Sequence, residues 1–236
     1  MKYQSCLLLN SVNLEKGGLA LVRLKGVDSR QAEQYKFPYH YVASEGRFPN
    51  FCWSWSYGPS YLAAIRIIKL WLGRNIEQGT QRYIDVGCGD AKLLSDIGPE
   101  VKPIEFFGVD YNSEAISLAE KFSYSDAKFF NVDLQELGRT EPKFDAATLI
   151  EVLEHIPLNE CDIFIKQLAR ILRVEGELFL TVPSSNVPVT EKHYRHFDFD
   201  TVRDAMSNEF RLVEIFGFEK ETLMTKVLRK CLSNRF

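Results

Sequence analysis

The sequence predicts an α/β fold, a doubly wound and mostly parallel sheet preceded by an N-terminal aromatic-rich extension. Three observations predict it. From residue 82 onward, apolar runs of strand length alternate with segments of helical period, the rhythm of a sheet whose crossovers are helices. Two of those runs, 146–150 and 178–182, are apolar almost throughout, as in strands covered on both faces. The run YIDVGCGDAKLL at 83–94 reads as a buried strand, a glycine turn and the start of a helix. That junction lies where doubly wound sheets bind ligands, outside the carboxyl ends of the strands.

Taken in order, residues 1–58 do not share this rhythm and form the expected extension, with residues 59–236 as the main domain. Apolar stretches at 7–9 and 19–24, separated by Lys16-Gly17-Gly18, predict a hairpin. Tyr39, His40, Tyr41, Trp53, Trp55 and Tyr57 crowd the stretch 35–58, which predicts a lid or wall over a substrate pocket, or else an accessory core on the sheet edge. A helix follows at 60–74, with Leu62, Ile65, Ile68, Leu70 and Leu72 as its apolar face, closed by Gly73 and Gly79. Strands are expected at 82–86, 105–109, 127–131, 144–150 and 176–182, and helices at 91–96, 113–122, 159–173 and 198–207. A last strand at 211–216 leads into a cationic segment at 219–229.

The totals exclude several classes. At 236 residues, 45% hydrophobic and 26% charged, the chain has the size and composition of one soluble α/β domain with a modest extension. A net charge of −3 without a basic run argues against duplex binding and leaves room only for a small RNA-end site. The apolar stretch near 61–72 is broken by Arg66 and Lys69, so no membrane span is expected, and no signal-peptide pattern opens the chain. Five scattered cysteines, none in C-x-x-C spacing, fit the reducing cytoplasm and no structural zinc.

Chemistry-bearing residues collect at the predicted strand ends. Gly87 and Gly89 let a ligand approach the backbone closely, but Lys92 stands where a dinucleotide loop has its third glycine. Asp85, two residues before the turn, would repel a pyrophosphate and suits a ligand carrying an ammonium group, of which S-adenosylmethionine (SAM) is one. Asp110 ends the second strand, where an acid accepts from ribose hydroxyls; its alternative is a helix N-terminal acid, with Ser113 a plausible cap. Asp133 ends the third strand, either as an acceptor for an adenine amine or as a turn residue. Cys88 reads as a small filler inside the turn.

After the fourth strand, Glu151, Glu154 and His155 stand at i, i+3 and i+4, so a helical turn would bring them to one face. Two carboxylates and an imidazole suit Mg²⁺, Mn²⁺ or Zn²⁺. The metal-free alternative has Glu151 lining the donor pocket, Glu154 solvated, and His155 as a general base or a packed residue. His193 and His196 follow the fifth strand and offer further imidazoles.

Over residues 80–218 the chain resembles class I SAM-dependent methyltransferases, a Rossmann-like family, through DVGCGDAKLL, FGVDYNSEAISLAE, FDAATLIEVLEHIP and RILRVEGELFLTVPSSN. Val174-Glu175-Gly176 stands where the family usually has Pro-Gly-Gly. The resemblance implies that Asp85, Gly87 and Gly89 contact the methionine part of SAM. It implies that Asp110 holds the ribose with Tyr111 beside it, that Asp133 holds the adenine, and that Glu151 lines the donor site. The EVLEH segment is similar to that of ubiquinone-pathway O-methyltransferases and of small-RNA 3′-terminal 2′-O-methyltransferases. In the RNA group two Glu and a His bind a cation with a later histidine; here Glu151, Glu154, His155 and His193 would be that set, with His196 the fallback. HYRHFDFDTVRDAM resembles a loop and helix of small-molecule and polysaccharide-pathway members. Family members often carry a seventh, antiparallel strand late in the chain; none is placed here, so a modified sheet edge is expected.

The implied activity is methylation of an oxygen on a small molecule or glycan precursor, with His155 or His193 as base and a divalent cation as its possible assistant. RNA 3′-terminal 2′-O-methylation is the rival reaction. A catalytically silent SAM-fold subunit that binds a partner through the aromatic N-terminal stretch is the alternative of another class.

Overall fold

A computed structural model describes residues 4–11, 58–101, 104–123 and 126–217. Seven strands form one sheet in the order β4-β3-β2-β5-β6-β1-β7. They are β1 (Gln4–Ser11), β2 (Arg82–Val86), β3 (Glu105–Val109), β4 (Lys128–Phe130), β5 (Phe144–Ile150), β6 (Leu172–Pro183) and β7 (Phe210–Gly217). The block from β4 to β6 is parallel throughout.

Side-chain alternation along the strands divides the core between the two faces. Ile84, Phe107, Ala147, Leu149, Leu178 and Leu180 point to one face, under α4 (Leu134–Thr140), α5 (Cys161–Ile171) and α6 (Phe199–Met206). Tyr83, Phe106, Ala146 and Phe179 point to the other, under α1 (Gly58–Glu77), α2 (Lys92–Ile97) and α3 (Ser113–Phe122). Every second residue changes sides because successive side chains of a strand point to opposite faces. In α1 the buried positions are Ile65, Ile68, Trp71 and Leu72, while Leu70 is 64% exposed. The expected face was therefore rotated: Trp71, held by its indole N–H to Glu177 Oε2, takes the place assigned to Leu70.

β1 is the largest departure from expectation. It is not half of a hairpin but an interior strand, antiparallel to β6 (Leu9 opposite Leu178) and to β7 (Leu9 opposite Leu212). With both edges of β1 paired, no edge remains for a hairpin partner, and the expected partner at 19–24 lies outside the described residues. An antiparallel strand of this sheet is thus supplied by the N-terminal residues 4–11. Residues 4–11 belong to the sheet and not to an appendage that ends at residue 58. The aromatic stretch 35–57 and the cationic segment 219–229 also lie outside the described residues.

Smaller differences have local causes. The cap of α3 is Asn112, which accepts from the N–H groups of Glu114 and Ala115, and not Ser113. α4 was not expected, yet Leu134 and Leu137 bury one side of it. α5 stops at Ile171, and β6 begins at once, bulging against β5 before Glu177 pairs with Ala146. Among the described residues, no helix is long and apolar enough to cross a membrane.

Candidate functional site

The carboxyl ends of β2, β3, β5 and β6 meet at one edge of the sheet, and the predicted site residues lie there. The glycine turn after β2 is built by positive φ angles, 73° at Gly87 and 55° at Gly89, which glycine adopts without steric cost. Space forces the choice too: a Cβ on Gly87 would sit 2.5 Å from Val152 Cγ2. The turn is tied to the end of β3. Gly87 and Cys88 donate to Val109 O at 2.8 and 3.1 Å, and Gly89 donates to Asp110 Oδ2 at 3.0 Å. Cys88 is buried beside Gly108, where any Cβ would meet its sulfur at 2.9 Å, so it does fill a small space.

Asp85 and Asp110 are both buried and both hydrogen-bonded. Thr148 Oγ1 donates to Asp85 Oδ1 at 2.7 Å and, its own hydrogen so used, accepts from Tyr83 Oη at 2.6 Å. Asp110 accepts from Gly89 N–H and, through Oδ1, from Asn112 N–H at 2.9 Å. Burial pushes Asp85 up to about 7, against the hydrogen bond from Thr148 and with further help from the Asp110 charge. Burial pushes Asp110 up to about 6 against its backbone donors. Tyr111, next in the chain, is 42% exposed at the strand end. Asp133 is the N-cap of α4, its Oδ1 accepting from Glu136 N–H at 2.8 Å.

The segment after β5 does not form the expected helical turn. Glu151 has φ 53°, a left-handed position, and only Leu153–His155 continue as a short 3-10 helix. Glu151 therefore leaves the face shared by Glu154 and His155, and its Oε1 accepts from Thr181 Oγ1 on β6 at 2.9 Å. Glu154 is not solvated, as the metal-free alternative had it. It is 0% exposed, and neither carboxylate oxygen has a hydrogen-bond partner among the described residues. Burial raises its pKa well above the ordinary range, with the Glu151 charge adding to the shift.

His155 and His193 gather beside this carboxyl, and His196 stands behind His193. His155 Nε2 lies 4.0 Å from Glu154 Oε1, and its ring meets that of His193 edge-on at 4.7 Å between centroids. His193 Nδ1 is 2.7 Å from His196 Nε2. The loop after β6 brings them in. Its neck is closed by Ser185 N–H to Phe197 O and Phe197 N–H to Pro183 O, and Tyr194 N–H docks it on Glu154 O at 2.8 Å. Burial, then the neighbouring His155, His196 and Lys192, lowers His193 to about 4, so it is unprotonated at neutral pH. One ligand atom from each of Glu154, His155 and His193 falls within 4.8 Å of the others. Of the four expected cation ligands the structure brings three together, while Glu151 stands outside that group with its Oε1 on Thr181.

Tyr83 and Thr148 were missed as supports of Asp85. The available signal was a hydroxyl inside the apolar run of β5, since a buried Thr in a fully covered strand needs a polar partner. Val152, which packs on Gly87, links the glycine turn to the histidine cluster and carried no signal in its residue type.

The profile of a family described as a methyltransferase domain matches residues 55–219. The ubiquinone biosynthesis O-methyltransferase of Dechloromonas aromatica is 30% identical over 120 residues, 49% of this chain and 50% of that protein. The fatty-acid O-methyltransferase of Mycolicibacterium smegmatis is 28% identical over 115 residues, 48% of this chain and 41% of that protein. The chain thus spans about half the length of these curated relatives. Among solved structures, magnesium protoporphyrin IX methyltransferase from Synechocystis with bound S-adenosylhomocysteine superposes with a TM-score of 0.56 at 18% identity, covering 77% of this chain and 84% of that one. A SAM-dependent methyltransferase from Archaeoglobus fulgidus gives 0.52 at 18% identity, over 72% and 84%. At such identities the likeness is one of fold.

Proposed function

We infer the activity from one premise: the chain belongs to the class I SAM-dependent methyltransferase family, whose profile covers residues 55–219. The function is methyl transfer from SAM to an oxygen of a small molecule or glycan precursor. The acceptor oxygen attacks the sulfonium methyl carbon in line, the carbon–sulfur bond breaks, and S-adenosylhomocysteine leaves. The hydroxyl proton passes to an imidazole, His155 or His193. Such a reaction asks the protein to align the nucleophile and remove its proton.

The observation that carries this reading is a histidine cluster bridged to the glycine turn by Val152, whose side chain packs on Gly87 and whose carbonyl accepts from His155 N–H at 2.9 Å. The donor side is assigned from the family resemblance: Asp85 for the ammonium group, Asp110 for the ribose beside Tyr111, Asp133 for the adenine, Gly87 and Gly89 for close backbone approach, and Glu151 at the pocket wall. That the ubiquinone and fatty-acid relatives are O-methyltransferases favours oxygen as the nucleophile. The test is incubation with methyl-labelled SAM and the small-molecule fraction of a cell extract, followed by mass spectrometry. A labelled methyl ether or ester is expected. Label found only on nitrogen overturns the oxygen assignment, and failure to bind SAM in calorimetry favours the silent subunit.

A second reading is favoured by the partnerless oxygens of Glu154. A divalent cation held by Glu154, His155 and His193 would satisfy them, and the mixed oxygen and nitrogen donors suit Mn²⁺ or Zn²⁺ better than Mg²⁺. Such an ion polarises a bound hydroxyl and lowers its pKa. Full turnover after exhaustive chelation, with no ion found by elemental analysis, would return these residues to metal-free roles.

A further inference from the structure

We propose that His196 is a positioning residue that fixes the tautomer and ring orientation of His193, so that Nε2 of His193 is the nitrogen available to take the acceptor's proton. This rests on the reading of His193 as a base, and it separates the roles of two histidines that sequence spacing leaves interchangeable.

The argument starts from a carbonyl. Val187 O lies 2.8 Å from His196 Nδ1, and a carbonyl oxygen only accepts. In the neutral ring His196 therefore carries its hydrogen on Nδ1 and keeps a lone pair on Nε2. That lone pair is 2.7 Å from His193 Nδ1, a hydrogen-bond distance at which two lone pairs would repel. His193 must then carry its hydrogen on Nδ1 as well, which leaves Nε2 unprotonated. The tautomer of one ring is thus set two bonds away by the main chain.

The origin of that constraint is itself held. Val187 N–H donates to Ser184 O at 2.9 Å, and Ser184 pairs with Phe197 at the loop's neck. The loop is anchored there by Phe197, which is 1% exposed. On the other side, His155 Nδ1 meets Lys192 O at 3.0 Å, so the same loop orders that ring by the same device. Two imidazoles merely filling space would need none of these aligned contacts.

The test uses the full chain labelled with ¹⁵N-histidine. Long-range ¹H–¹⁵N correlation should show His193 and His196 as Nδ1–H tautomers in the unsubstituted protein. In His196→Ala the His193 signals should move toward the Nε2–H form. Methyl transfer from labelled SAM into the extract should fall by about 10–100-fold, the usual loss when an imidazole loses its orienting partner. SAM affinity should stay unchanged. His196→Gln, whose amide oxygen can accept from His193 Nδ1–H, should restore both the tautomer and most of the rate. An Nε2–H tautomer at His193 in the unsubstituted protein overturns the proposal without any variant. So does a rate that is equal in the Ala and Gln variants. If the tautomers are as expected but His193→Ala transfers methyl at full rate, the positioning stands and the assignment of His193 as base fails.

Discussion

Asp110 and Glu154 sit on the same sheet edge, at 6% and 0% exposure, and their surroundings treat them in opposite ways. Asp110 has a backbone N–H for each oxygen and uses them to pin the glycine turn. Glu154 has a partner for neither. A buried carboxyl without partners costs free energy, whereas one that accepts two backbone bonds organises its surroundings. One end of the site is therefore complete before any ligand arrives. The other holds a buried carboxyl that the described residues leave without a hydrogen bond.

Four measurements would break or sharpen this contrast. The largest effect is expected at the incomplete end. His193→Ala should lower methyl transfer by roughly 10²–10⁴-fold, the range for removal of a general base, while SAM affinity holds. If binding weakens as much as turnover, the two ends are not separable. At the complete end, Asp110→Ala should weaken SAM binding by about 1.5–3 kcal/mol, the loss expected for hydrogen bonds to a charged group. Calorimetry on the folded variant reads it directly, and unchanged affinity would remove Asp110 from the donor site.

Glu154→Met tests the missing partners. Replacing an unsatisfied carboxyl by an apolar side chain of similar volume should stabilise the free protein by about 1–3 kcal/mol. A lower melting temperature would mean that Glu154 is already satisfied, as Asp110 is.

The smallest effect is a pH dependence. Asp85 at about 7 and Asp110 at about 6 lie above their ordinary 3.8, so the free fold keeps protons that the unfolded chain has released. Their contribution to stability is complete below the unfolded value and is lost as pH rises through 6–7. A cationic ligand selects the ionised carboxyls, so the sign reverses for binding. SAM affinity should climb across that window, by up to about tenfold per pH unit for each linked proton. A flat profile would show that neither carboxyl changes its charge on binding.

Much of the parallel half was legible in the sequence because its signals are local. The strands Arg82–Val86, Glu105–Val109 and Phe144–Ile150 and the helix Ser113–Phe122 fall on the expected bounds, since apolar runs and periodicity lie within each segment. The strand-end acids followed from the same pattern. What escaped depends on distant partners or on single dihedral angles. Nothing within Gln4–Ser11 names β6 and β7 as its neighbours. The spacing of Glu151, Glu154 and His155 promised one face, and the positive φ at Glu151 removed the first of them. Spacing equally left His193 and His196 undecided, because which ring stands behind the other is set by a carbonyl at Val187.

The interior place of β1 sets an order of events during biosynthesis. Gln4–Ser11 leaves the ribosome before every other strand of this sheet, yet both of its neighbours are made much later, β7 last of all. The nascent segment must therefore stay unpaired while the parallel block forms. It then pairs with β6 and receives β7 on its other edge, at the cost of closing very long loops, which slows folding and prolongs exposure to misassembly. A ribosome stalled before Phe210 would carry a chain whose oldest strand still has one open edge.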